Sequence, residues 1–493
     1  MPVLDAIVVG AGHNGLVAAT MLARTGRSVM VLERTDRLGG AAVSAAPFAG
    51  VDARISRYSY LVSLFPRGLL SELGVDVELR RRPIASYTPS GDAGVLICDD
   101  RERTRASIAR TVGQDGTVEA LDRFGALTAG VAERLFVTLT EPLRSRAEIR
   151  ALVADEVAWE ALFEQPLSQV LQDTFASDLI RGIVATDALI GTFATTDDPR
   201  LIQNRCFLYH VIGNGTGRWD VPVGGMGALT GALAAGAREA GAELRVSVPV
   251  VAIEADGEHA EVRTADGSTY AARHVLANVA PSVLARLIGD SPPAIAPEGS
   301  QLKLNLLLSR LPRLRDPTVT PAEAFAGTFH VNEGHEQLQQ AHAQAAAGGI
   351  PVLAPCEAYC HSLTDPSILA PELRRRGAHT LRSFRCTCRR GCSQATTGRP
   401  SGRRSRRRCA RWTRFWPSRS RTACWRIGTA GPAWRRTRRS SSRPSWGCRA
   451  ATSSIATWRG RLPGQRLRSV GGESRPHGPT CGSAAPARDA AEG

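Results

Sequence analysis

Six residues near the start of the chain, Gly10-Ala11-Gly12-His13-Asn14-Gly15, are spaced as G-x-G-x-x-G, and an acidic residue, Glu33, closes the same stretch of about thirty residues. These residue types suit a dinucleotide diphosphate. Gly10 permits a tight turn, Gly12 lets backbone approach a pyrophosphate, and Gly15 lets a helix pack closely on a strand. Asn14 sits inside the motif, where free N–H groups and the helix dipole favour the phosphates. Glu33 is placed to accept hydrogen bonds from a ribose 2′-hydroxyl. A glycine-rich turn without a ligand would carry the same glycines, so the flanking elements must decide. Elsewhere, chemistry-bearing residues are sparse. Lys303 is the only lysine. His210 is isolated and reads as a structural histidine, and Asp197-Asp198 reads as a solvated turn or helix N-cap. His330, His361 and Asp365 are the remaining polar residues of a later block. Cys356 and Cys360 are spaced C-x3-C with no second pair before the tail, which argues against zinc.

The elements around the glycines support the dinucleotide reading. Leu4 to Val9 is a short apolar, β-branched run, as expected of a strand buried on both faces. Leu16 to Arg24 reads as a helix, with Gly26 at its C-cap. A second strand, Ser28 to Leu32, ends at Glu33. Val51 to Pro66 reads as the passage out of this unit. Residues 76–209 hold helical patterns at Val118 to Leu135 and Ala147 to Phe163. Pro222 to Gly227 then opens an Ala-rich helix, Ala228 to Ala240, which Gly241 ends. Short strands follow at Glu243 to Val248, Val250 to Glu254, Ala260 to Thr264 and His274 to Ala277, with turns at Asp256-Gly257 and Asp266-Gly267. Ser300 to Leu308, Gly327 to Asn332 and Glu357 to Leu363 read as the strands of a further sheet.

With 493 residues, 43% of them hydrophobic, the chain can bury a large core and should hold two or more domains. No apolar run reaches the roughly 18–20 residues of a membrane span. The N-terminus enters a strand almost at once and leaves no room for a signal peptide, so the expected location is the cytoplasm, with reduced cysteines. The net charge of +16 invites a nucleic-acid reading, but the charge is uneven. From Arg382 onward there are 27 arginines against three acids, so the rest of the chain carries about −8. Seven of the 11 cysteines and six of the eight tryptophans also fall in that tail.

Glu33-Arg34-Thr35-Asp36-Arg37-Leu38-Gly39-Gly40 resembles the E-x(5)-G-G extension of the flavoproteins that include amine oxidases and phytoene desaturases. The blocks GAGHNGLVAA, ISRYSYLVSLFP, VPVGGMGAL, SQLKLNLLLSRLP, AFAGTFHVNE and EAYCHSLTDPSIL resemble the phytoene-dehydrogenase-related branch over residues 1–380. The resemblance implies an α/β fold: a Rossmann-like FAD domain in two segments (1–75 and 210–290) and a mixed β/α substrate domain in two more (76–209 and 291–380). It implies FAD as cofactor, Arg34, Gly39 and Gly40 at its diphosphate, and Val250 laying backbone against the adenine, although a plain buried strand valine is the alternative there. Ala41 stands where amine oxidases place an arginine, so that phosphate contact is missing. Lys303 falls where the amine-oxidase strand puts a lysine that reaches flavin N5 through a water; an exposed strand lysine is the alternative. The implied activity is hydride removal from a carbon of a small-molecule substrate, apolar or isoprenoid-like in this branch, with the electron acceptor undetermined. An amine oxidase is the rival within the fold. Peripheral contact with a membrane stays open, and no specific nucleic acid is implied.

After about Leu381 the helix and strand periods vanish. An arginine-rich nucleic-acid arm and a Cys-rich metal tract are two readings of this tail. The third is a shifted reading frame. Taking the last base of each codon with the first two of the next, with free synonymous choice, Ser445 to Gly460 can encode ELGMPGGNIFHRDLAW. Thr480 to Gly493 can then encode LWLCGAGARRGGG, and Cys386 to Ser393 can encode HVPARLF. The order is that of the family, and the second segment resembles its closing flavin motif. Residues 381–493 are therefore read as an out-of-frame, disordered tail, with flavin binding and activity expected to be impaired.

Overall fold

The computed structural model describes residues 3–113, 116–291 and 301–385, and the backbone of 424–428. The apolar run Leu4–Val9 lies inside a six-stranded sheet, between Thr269–Ala277 and Val29–Leu32, parallel to both. Glu243–Arg245 continues the parallel set beyond Val29–Leu32, while Ala260–Thr264 and Val250–Ala255 extend the other side antiparallel. Val29–Leu32 is buried throughout, as a strand covered on both faces should be. Helix His13–Arg24 begins three residues earlier than its periodicity suggests, with Gly12 as N-cap. Its Leu16, Ala19 and Ala23 share a core with Leu229, Leu233 and Ala237 of helix Met226–Glu239. Small residues on both helices allow this close approach.

A second sheet runs in the order Cys424–Gly428, Leu302–Leu308, His379–Arg385, Cys356–Tyr359, Thr328–Val331, Ile84–Ser90, Ala93–Cys98. The strand expected to run to Leu363 ends at Tyr359, and His361–Thr364 is a helical turn. Asp365 explains the stop: it is fully buried and accepts from the Ser367 and Gly224 amides, so the chain turns there. The sheet pattern also does not end at Leu381. Arg382, Ser383 and Phe384 are buried in a strand that reaches Arg385. Backbone of Cys424–Gly428 pairs antiparallel with Leu302–Leu308, so that edge is covered rather than open. The remaining expectations for the tail, its disorder and its displaced glycine motif, fall on 386–423 and 429–493, outside the described residues.

Between these sheet segments in sequence, residues 101–211 form a helical unit around one apolar cluster. The pattern from Ala147 to Phe163 is not one helix. Arg146–Val153 ends at Ala154 (φ 49°), and the Asp155 carboxylate caps a new turn at the Ala158 amide, ahead of a π-turn at Glu160–Glu164. A side chain that satisfies a backbone N–H locally competes with helix continuation. Trp159, 2% exposed, stacks on Phe163 at 4.3 Å between centroids. Among the described residues no helix is long and apolar enough to cross a membrane. Trp159→Ala should cost about 3–5 kcal/mol, the usual range for removing a buried aromatic; a thermal melt with an unchanged midpoint would contradict this packing.

Candidate functional site

The nucleotide loop is held by backbone passing backbone at contact distance. Gly10 adopts φ 101°, and a Cβ there would stand 2.6 Å from the Asn278 carbonyl oxygen. At Gly15 a Cβ would meet the Gly10 carbonyl oxygen at 2.2 Å. Gly39 donates its amide to the Ala11 carbonyl oxygen (2.8 Å) and forms a parallel bridge with Gly12. Gly40 has φ 58°, and its Cβ position lies 2.9 Å from the Gly12 Cα. The motif and the glycine pair are therefore two walls of one cradle, which side chains would fill. Asn14, Arg34, Gly40 and Ala41 are exposed around it.

Glu33 is buried at the end of Val29–Leu32. Its Oε2 accepts from the Ala11 amide (3.0 Å), and its Oε1 accepts from the Thr35 amide (2.9 Å) and hydroxyl (2.8 Å). The carboxylate thus braces the loop, and Oε2, with a single donor, keeps a lone pair for a ribose hydroxyl. Past Glu33 runs the segment leading to Val250: the Ser247 and Val248 amides donate to the Thr35 and Glu33 carbonyls. Val250, half-buried, opens the next strand. Asn278, which the sequence reading passed over, donates Nδ2–H to the Gly10 carbonyl (3.0 Å) and pins the turn. Only strand pairing across 268 residues of sequence brings it there.

Lys303 is not an exposed strand lysine; it is 4% exposed. Its Nζ donates to the carbonyl oxygens of Tyr58 (2.6 Å) and Ser56 (3.2 Å) and sits over the rings of Phe384 (4.9 Å) and Tyr60 (5.3 Å). The carbonyls belong to the stretch read as a mere passage. That stretch hydrogen-bonds back to the glycine-pair loop, Arg57 to the Val43 carbonyl and Ser59 to that of Ala41. The lysine is therefore tied through two backbone layers to the glycine-pair loop. Burial, with the charge of Arg382, holds its amine well below the ordinary lysine range. Beside it, Arg382 donates to His361 Nδ1. Burial and the charges of Arg382, Arg82 and Lys303 keep that imidazole neutral. Tyr60 stacks on Phe384 (4.5 Å) and leans on Tyr359 (4.8 Å).

A little further along lie Asp187 and Tyr209, both exposed. His210 is satisfied there by the Cys206 carbonyl (2.8 Å) and stacks on Trp219 (5.3 Å). Burial opposes its cation, but Cys206 and Asp187 outweigh burial and carry it up to about 9. Asp198 holds Arg200 in a local turn, as its spacing suggested.

A parallel strand–turn–helix–strand carrying a glycine cradle and a buried acid at the end of its second strand, next to a buried basic group, defines an FAD-dependent oxidoreductase. Residues 8–68 match the model of the NAD(P)-binding Rossmann-like domain, and residues 99–307 that of flavin containing amine oxidoreductase. The chain belongs to this flavin-containing oxidoreductase family. It is 48% identical over 393 residues to an uncharacterized protein of Mycobacterium tuberculosis, covering 77% of this chain and 73% of that one. It is 29% identical over 435 residues to mouse pyridine nucleotide-disulfide oxidoreductase domain-containing protein 2 (78% and 73%). To the hydroxyneurosporene desaturase of Cereibacter sphaeroides it is 29% identical over 307 residues, 59% of each chain.

The residues present fit FAD: Gly10, Gly12, Gly39 and Gly40 offer bare backbone that would hold the diphosphate, and Glu33 Oε2 would offer the ribose an acceptor. Gly10→Val should abolish flavin retention, read as loss of the visible flavin band in purified protein. Asn278→Ala should fold but weaken flavin binding about tenfold, the worth of one hydrogen bond.

Proposed function

We propose that this chain oxidises an apolar small molecule at a carbon facing Lys303, beside the aromatic cluster of Tyr60, Tyr359 and Phe384. FAD, when bound, supplies the acceptor for the hydride. The observation that carries the reading is the buried Lys303, the one lysine of the chain, fastened to the same backbone that shapes the cradle. With its amine neutral, its two N–H bonds serve the Ser56 and Tyr58 carbonyls and its lone pair is left to orient a water at the reacting edge. When the lysine carries its proton, the same nitrogen stabilises negative charge developing there. The charges of Arg382 and Arg82 bear on His361, so this end of the site is electropositive. That field disfavours an ammonium substrate and supports the dehydrogenase or desaturase reading over amine oxidation. Residues 1–75 with 210–290 would hold the cofactor and 76–209 with 291–380 the substrate, in the cytoplasm, with the electron acceptor unassigned.

The reading also includes a shifted frame in the tail. Similarity to the mycobacterial relative spans 77% of this chain, the share that residues 1–380 represent. The buried strand through Phe384 moves the expected break from Leu381 to beyond Arg385. Restoring the frame there should raise the flavin content of purified protein; unchanged content would remove the frame argument.

The decisive experiment is anaerobic flavin reduction by isoprenoid alkenes and by amines. Lys303→Met should retain the flavin spectrum and slow reduction by about 10²–10⁴-fold, the usual worth of a positioned proton-handling group. In the parent chain the rate should rise with pH as the depressed lysine loses its proton, and this limb should vanish in the variant. Equal rates and equal pH profiles in the two proteins would sink the assignment.

A further inference from the structure

Away from the cradle, His330, Glu333 and Glu357 offer one ligand atom each within 4.8 Å of one another, all three side chains buried. The fold assembles them deliberately. His330 and Glu357 face each other directly across the antiparallel pair Thr328–Val331 and Cys356–Tyr359. Asn332, at φ 57°, turns the chain after the strand and brings Glu333 back beside His330, with Oε2 3.6 Å from Nδ1. Helix Asp178–Leu189 closes the site: Gly182 lies so near that a Cβ would stand 1.8 Å from the Glu333 carbonyl oxygen, and the Thr186 hydroxyl reaches Glu333 Oε2 at 3.5 Å. Thr88 bonds His330 Nδ1 at 2.9 Å. Tyr359 donates to Glu357 Oε2.

Two carboxylates with a single hydroxyl donor each would be a costly thing to bury. Glu333 makes the deficit explicit, because its Oε1 is buried, without a hydrogen-bond partner, on a side chain 1% exposed. A divalent cation would supply the missing charge. One imidazole and two carboxylates form a donor set suited to Mn²⁺ or Zn²⁺, with the Thr88 hydroxyl giving up His330 Nδ1 where that nitrogen takes the metal. Bond lengths of about 2.0–2.2 Å require the three ligand atoms to draw together by roughly an ångström. We propose that His330, Glu333 and Glu357 form a buried divalent-cation site that locks the two strands, the Asn332 turn and helix Asp178–Leu189 together.

The test uses the full chain, stripped with chelator, equilibrated with Mn²⁺ and desalted. Mn²⁺ is chosen because the cysteine-rich tail prefers softer metals. Elemental analysis should find one equivalent in the parent and less than a tenth of that in Glu333→Gln/Glu357→Gln. Mn²⁺ should also raise the melting midpoint of the parent and not of the variant. Should the variant fail to fold, the parent alone decides: a bound-Mn²⁺ electron paramagnetic resonance signal with a raised midpoint supports the site. A parent that retains no Mn²⁺, or retains as much as the folded variant, overturns it and leaves a proton shared between the carboxyls.

Discussion

The structure depends on backbone approaching backbone around Gly10, Gly12, Gly15, Gly39 and Gly40. A Cβ at Gly15 would lie 2.2 Å from a carbonyl oxygen, and one at Gly40 2.9 Å from another Cα, so neither contact survives a side chain. The contacts bring two loops from different parts of the first fifty residues into one cradle, and Glu33 and Asn278 fasten it from opposite sides. Everything else that bears on chemistry is positioned relative to that cradle.

Lys303 shows how the positioning is transmitted. Its strand belongs to the second sheet, yet its amine is bonded to Ser56 and Tyr58, whose own stretch is bonded to the glycine-pair loop. Burying a lone amine is expensive, and two carbonyl acceptors with two aromatic faces offset part of that cost. The result is a basic group with a lowered proton affinity, which is what a proton-handling residue needs near neutral pH. A lysine held only by packing would leave the pocket for solvent.

The two sites differ in sign. Around Lys303, Arg382, Arg82 and a neutral His361 make an electropositive end. Around Glu357, whose carboxyl burial pushes up to about 7, the acids gather. Burial pushes the His330 imidazole down to about 4, so the ring is neutral. Tyr359 links the ends, donating to Glu357 while its ring lies against Tyr60. The strand Cys356–Tyr359 is therefore the element through which the acid cluster and the lysine pocket touch.

How much of this was legible follows from range. The glycine motif, its strand and helix, Glu33 and the second helix opened by Gly225 were readable because each depends on neighbours a few residues away. The α/β class and the flavin-family membership followed from them. Helix ends moved by a few residues, Ala147 to Phe163 broke at Asp155, and the strand from His379 ran on to Arg385, because local capping and cross-strand pairing overrode periodicity. The partners of Lys303, the pin at Asn278 and the His330–Glu333–Glu357 cluster could not be read, since each joins residues from dozens to hundreds of positions apart. By itself the sequence determined which segments could bind a dinucleotide, through steric demands that act between near neighbours. The tertiary structure alone decided which buried charges meet, because that is settled by sheet register and by the turns that fold distant strands onto one another.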